Sequence, residues 1–255
     1  MDYSTASISE LLFAGFKLFW ANLKNIAGVI AIQMLTLSFL LLIVVIAILN
    51  LAADSTGDAL GYGPLIGLLV GIYICLSICL IFPVAYIKKF HALDNNHAVE
   101  TRVSLLQGLS YVKPLLIWFT LYFLILTYTL LMAALVQRSL IFLPLIIPGI
   151  VFVVSLCLSP FFIVHDDMTA TSAIKQSHLT VWRSWWKMAG YLFIAIISVM
   201  LVYFSIALPF TFFFGILSAA IPLLIGALSL FNALILSALL PFLIALIYPY
   251  YLATK

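Results

Sequence analysis

No Asp, Glu, Lys, Arg or His falls within six long apolar runs, Ile26–Asn50, Pro64–Ile87, Pro114–Gln137, Leu140–Val164, Met188–Phe214 and Leu223–Pro249. Each reaches or exceeds the roughly 20 residues that an α-helix needs to cross a bilayer. The first run shows the energetics. It holds sixteen Ile, Leu, Val or Phe residues, each favouring insertion by up to about 0.3 to 0.6 kcal/mol near the helix centre. Gln33, Thr36 and Ser38 oppose that only weakly. At about 1.5 Å per residue such a run exceeds a hydrocarbon core of roughly 30 Å, so it tilts or bends. Membrane strands alternate every second residue, whereas these runs are apolar throughout, which excludes a barrel. The sequence predicts a single all-α polytopic membrane domain, 1–255, with six transmembrane helices. Its charged fraction of 7% stands against about 25% in soluble domains.

The charges set the threading. Lys17, Lys24, Lys88, Lys89, Arg102, Lys113, Lys175, Arg183, Lys187 and Lys255, ten of the 11 basic residues, fall on one side, and Arg138 alone falls on the other beside Asp54 and Asp58. The positive-inside rule places both termini and the two long polar loops in the cytoplasm. The first run is too long for a signal h-region, and Asp2 and Glu10 spoil a basic n-region, so no cleaved leader is expected. Cys75, Cys79 and Cys157 lie within spans and read as small packing groups rather than as a disulfide framework or a redox site.

Three polar segments precede spans. In the first, Ser7 and Glu10 have capping-box spacing, and Ile8, Leu11, Leu12, Phe16, Phe19 and Leu23 recur on one helix face. That pattern predicts an amphipathic helix in the membrane interface, with a plain extension of the first span as the alternative. In the second, His91, Asp94, His97 and Glu100 are spaced three apart, which on a helix brings potential metal ligands together. Asn95-Asn96 favours a turn instead, and no metal is assigned. In the third, Ala170, Ala173, Ile174, Val181, Trp182 and Trp185 form an apolar side, and Lys175, His178, Arg183 and Lys187 a basic one. Asp166 and Asp167 precede that helix, where negative charge suits its N-terminal dipole. Trp182, Trp185 and Trp186 are three of the five tryptophans, a ring type that prefers the headgroup level. Lys175, His178, Arg183, Trp185, Trp186 and Lys187 are therefore the candidates for contact with lipid headgroups.

Pro144, Pro148 and Pro160 interrupt the fourth run, and Gly149 beside Pro148 makes that point the expected irregularity, so Pro148, Gly149 and Pro160 are the kink candidates. The inner ends of the returning spans, FPVAYIKK, SPFFIVHD and YPYYLATK, set Pro83, Pro160 and Pro249 in corresponding places. With Ser9 on Ser172, Leu11 falls on Ile174, Phe16 on Leu179, Leu18 on Val181, Phe19 on Trp182 and Lys24 on Lys187. The pattern predicts three repeats, 1–90, 98–165 and 169–255, folding as three helical hairpins, each preceded by a cytoplasmic amphipathic interfacial helix.

From Pro148-Gly149-Ile150, through Pro160 and Asp166-Asp167, to Ala173-Ile174-Lys175-Gln176-Ser177 and Trp185-Trp186-Lys187, the chain resembles the YciC-like bacterial inner-membrane proteins. It is similar too to the membrane domain attached to some glycerophosphodiester phosphodiesterases. The resemblance covers about forty residues specifically and implies a multi-pass protein of the bacterial cytoplasmic (inner) membrane. No phosphodiesterase domain is present, so that activity does not carry over. Gln176 and His165 depart from the related pattern, which often has a basic residue at the first position and no histidine at the second.

Spans without ionisable groups away from their ends argue against proteolysis, proton-coupled transport and ion conduction. The expected role is non-enzymatic: binding or organising membrane lipids, or a protein partner or second copy, through the cytoplasmic amphipathic helices. The alternative is a transporter or translocator of an apolar or amphiphilic, lipid-like substrate along the spans Leu140–Val164 and Met188–Phe214. A metal-dependent surface enzyme built on His91, His97, His165 and Asp166 is the third reading. Neither a cofactor nor a nucleic-acid partner is expected.

Overall fold

The computed structural model describes residues 6–54, 70–71, 73–75, 77–95, 97, 99–136, 143–218 and 223–255. They form α1 (Ile8–Ala21), α2 (Leu23–Asp54), α3 (Ile81–Asp94), α4 (Thr101–Ser110), α5 (Val112–Val136), α6 (Leu143–Leu156), α7 (Ser159–His165), α8 (Ala170–Arg183), α9 (Trp185–Ser218), α10 (Leu223–Ala238) and α11 (Leu240–Ala253), with further helical residues within 70–78. No strand occurs among the described residues. Five segments are long and apolar enough to cross a membrane: Leu23–Leu40, Val112–Val136, Leu143–His165, Trp185–Phe214 and Phe231–Ala253. Of the remaining run, Pro64–Ile87, residues 64–69, 72 and 76 lie outside the described residues. So do 55–63 of the first loop and the hairpin turn Gln137-Arg138-Ser139.

Local chemistry explains where the helices begin and break. The Ser7 backbone N–H donates to the Glu10 carboxylate (2.6 Å) and the Glu10 N–H donates back to the Ser7 hydroxyl (3.3 Å), a full capping box. A single residue interrupts the path into each long helix: Asn22 after α1, Tyr111 after α4 and Ser184 after α8. The apolar segments Leu143–His165 and Phe231–Ala253 break as well, at Cys157-Leu158 before α7 and at Leu239 before α11. Pro160 and Pro241 sit in the first turn beyond those breaks, where a missing N–H costs nothing.

The helices break near some prolines and continue through others. Helix α6 continues through Pro148 and Gly149 without a break. Gly149 lets α5 approach closely, since a Cβ there would lie 2.1 Å from the Thr129 hydroxyl. Pro160, the third kink candidate, does stand at a break. Pro249 is not its counterpart, for it lies inside α11, and Pro241 holds that place. The Met188–Phe214 span is likewise uninterrupted at Pro209.

The most thoroughly buried elements are α3, α7 and α11. Val84, Ala85, Tyr86, Phe90, Ile163, Val164, Ala245 and Tyr251 are all sealed from solvent. Rings knit the group together, with Phe161 stacked on Tyr251 at 5.4 Å and Phe162 edge-on to it at 5.2 Å. Around this centre, α4 packs on α3, α8 on α7 and α6, and α1 on α11. Burial follows a common rule in the outer helices. Counting from the N-caps Ser7, Glu100 and Thr169, the fourth residue on (Leu11, Ser104, Ala173) and the eighth (Gly15, Gly108, Ser177) are buried in each. Four residues past each break, Ile26, Leu115 and Met188 are buried too. The burial rule shifts the register between the first and third segments by one: Leu11 matches Ala173 rather than Ile174, Phe19 matches Val181, and Lys24 matches Trp186 rather than Lys187. Exposed lysines constrain a register weakly, whereas close-packed positions fix it.

Inside the span region one polar group makes a tertiary knot. Gln33 is buried, its amide donating to the Ser237 hydroxyl (2.7 Å) and carbonyl (3.0 Å) and its carbonyl oxygen accepting from the Tyr86 hydroxyl at 2.5 Å. Thr36 and Ser38 merely donate back to the carbonyls of Ile32 and Met34.

Candidate functional site

Helix α8 begins on the Thr169 hydroxyl, which accepts from the Ser172 N–H at 3.4 Å. It buries a stripe of Ala170, Ala173, Ser177 and Val181, and the Ser177 hydroxyl donates to the Ser155 carbonyl of α6 at 2.6 Å. Its other side stands open, including Lys175, Leu179, Trp182 (60% exposed) and Arg183. The apolar side is thus narrower than the pattern suggests, because Trp182 lies off the buried stripe. At Ser184 the backbone leaves helical geometry (φ −138°, ψ 41°), and the next helix carries Trp185, Trp186 and Lys187 away in a new direction. Trp185 and Trp186 meet edge-on at 4.8 Å.

The bend opens a groove of about 540 Å³ between Ile147 and Val151 of α6 and the segment 182–187. Arg183, Trp185, Trp186 and Lys187, four of the six sequence candidates, line it together with Trp182 and Ser184. Lys175 and His178 do not, being two turns and one turn back along α8; the His178 ring lies 5.5 Å from that of Trp182. The Trp185 indole N–H is buried and finds no hydrogen-bond partner among the described residues. Ile147 and Val151 were not legible as site residues, since nothing in an apolar run marks which side meets a later helix.

A second polar grouping joins the ends of the three central helices. The Asp166 carboxylate accepts from the Tyr251 hydroxyl (2.8 Å) and from Lys255, and lies 3.0 Å from His165 Nδ1. Burial works against its charge, yet the hydrogen bonds from Lys255, His165 and Tyr251 outweigh that and hold its pKa below the usual carboxylate value. Asp167 takes a left-handed backbone (φ 51°) and accepts from the Tyr111 hydroxyl, with Lys88 4.0 Å away. Both aspartates therefore serve tertiary contacts rather than capping α8, which Thr169 does. His91 packs edge-on to His165 (4.2 Å between centroids), its Nδ1 3.3 Å from the Tyr248 hydroxyl. Burial, then the neighbouring His165 and Lys88, pushes the His91 pKa down. Lys89 is 3% exposed and donates to the carbonyls of Asn25 (2.7 Å) and Val99 (2.9 Å), so it is a structural strut whose pKa burial lowers.

His97 and Glu100 lie beyond the end of α3 and do not join His91 and Asp94 on one helix. Among the described residues no three His, Cys, Asp or Glu side chains gather as a metal site. Fold and composition together define a helical membrane protein with several apolar spans. No family model matches the chain, and neither a curated protein nor a solved structure matches it significantly.

Proposed function

We propose that this is a non-enzymatic, YciC-like integral protein of the bacterial cytoplasmic membrane that binds or organises anionic lipid. On this reading it has six spans in three hairpins with both termini in the cytoplasm, and α1, α4 and α8 form a collar at that face. The shared burial positions of α1, α4 and α8 speak for three units, and the one-sided distribution of ten basic residues speaks for the topology. One observation carries the lipid reading: three tryptophans and two cations converge on a single groove where α8 turns into the long apolar helix α9. Indole rings favour the headgroup level, and each surface cation attracts anionic lipid by about 1 kcal/mol.

The test is to extract the protein in polymer discs with its own membrane and compare lipid classes in the discs with those of the bulk membrane by mass spectrometry. Enrichment of anionic phospholipid is expected. A disc composition equal to the bulk would refute the reading.

A further inference from the structure

We infer that the groove at the α8–α9 bend is a stoichiometric site for one anionic phospholipid, its phosphate held by Arg183 and Lys187. The inference rests on the lipid-binding reading above and narrows it from a charged collar to one built pocket. At about 540 Å³ the groove falls within the roughly 300 to 1,000 Å³ of small-ligand sites. Its two walls differ in the way a phospholipid does. Ile147 and Val151 give it an apolar wall on α6 for the start of an acyl chain, while Arg183 and Lys187 bring positive charge to the same lining. No acidic side chain lines it.

A neighbouring groove of similar size, about 510 Å³, supplies the contrast. It lies beside Tyr111 and Lys113 at the α4–α5 break, the counterpart of Ser184, but Asp167 lines it and repels a phosphate. Lys175 lies outside both. The cations that matter are therefore named by geometry and not by net charge.

The experiment is native mass spectrometry of the full chain released from discs of phosphatidylcholine containing increasing phosphatidylglycerol. The wild type should keep one phosphatidylglycerol at saturation. Replacing Arg183 and Lys187 together by Gln should weaken retention about thirty-fold, two surface cations' worth. Lys113→Gln and Lys175→Gln should leave it unchanged. Unaltered melting temperatures would show that the variants fold. Lipid retention that survives the double variant, or falls equally in Lys175→Gln, overturns the pocket while leaving the collar reading intact. A wild type that keeps no phosphatidylglycerol overturns both.

Discussion

Replacing Gly15 by Ala tests whether the close seam between α1 and α11 holds the fold together. A Cβ at Gly15 would lie 2.6 Å from the Ala245 carbonyl oxygen and 2.7 Å from the Leu246 Cα, both backbone atoms that no rotamer change can move. Ordinary contact begins at 3.4 Å, so α1 must retreat by about 0.8 Å. A gap of that size forfeits roughly a quarter to a half of each dispersion contact across it. Leu11 and Phe19, buried on the same face of α1, contribute about 1.5 to 3 kcal/mol each, so the retreat costs about 1 to 3 kcal/mol. The better helix propensity of Ala returns up to about 1 kcal/mol. The net loss is about 1 to 2 kcal/mol, or about 2 to 8 °C in melting temperature for a chain of this size. Differential scanning fluorimetry in one fixed detergent reads it. Gly190→Ala is the matched control, because a Cβ there meets nothing within 4 Å. A Gly15→Ala protein as stable as wild type, or a Gly190→Ala protein that falls equally, refutes the reasoning.

Two further perturbations address the polar contacts. Gln33→Leu removes the acceptor of the Tyr86 hydroxyl and the donor to Ser237. It should destabilise by about 1 to 3 kcal/mol, and Gln33→Glu, which keeps the acceptor, should not match the loss if measured below the carboxylate's pKa. Asp166 has a folded pKa below its ordinary value of 3.8. Its stabilisation is therefore fully present above that value and is lost as pH falls through the folded pKa. Melting temperature against pH should show this acid limb in the wild type, with a flatter profile in Asp166→Asn; superimposable profiles would rule the network out as a stabilising element.

Five of the expected spans were legible because lipid demands unbroken apolarity, and the Ser7–Glu10 cap because its chemistry is local. What escaped was everything decided by distant partners. Asp166 looked like a helix-dipole residue, but its partners Tyr251 and Lys255 come 85 and 89 residues later. Gln33 looked like a tolerated polar residue, and its partners come from two other helices. Composition does not separate a helix that meets lipid from one that meets protein: α11, sealed within the protein, is as apolar as α5, which is not. Set on burial, the first and third segments align one residue differently from the expected repeat, since close-packed positions such as Gly15 and Ser177 fix a register that exposed lysines do not.

Burial also divides the molecule into two regimes that meet at the groove. Of Val112–Val136 only Leu115 is buried, whereas Ser159–Val164 of α7 and most of α11 are sealed within the protein. Lipid tails are as apolar as Leu, so no hydrophobic force draws the spans together. Their association falls to close packing and polar contacts: Gly149 against Thr129, Trp118 Nε1 donating to the Leu156 carbonyl (3.1 Å), and Tyr73 hydrogen-bonded to Thr120 (2.6 Å). At the other end α1, α4 and α8 wrap α3, α7 and α11, and on the proposed topology their outer faces meet the aqueous side. There apolar burial stabilises in the ordinary way. The one-residue breaks at Asn22, Tyr111 and Ser184 are the joints between the regimes. A ligand seated at Ser184 contacts the wrapped end through Arg183 and the span region through Ile147, so a phospholipid there would tie the two halves by contacts that neither regime supplies alone.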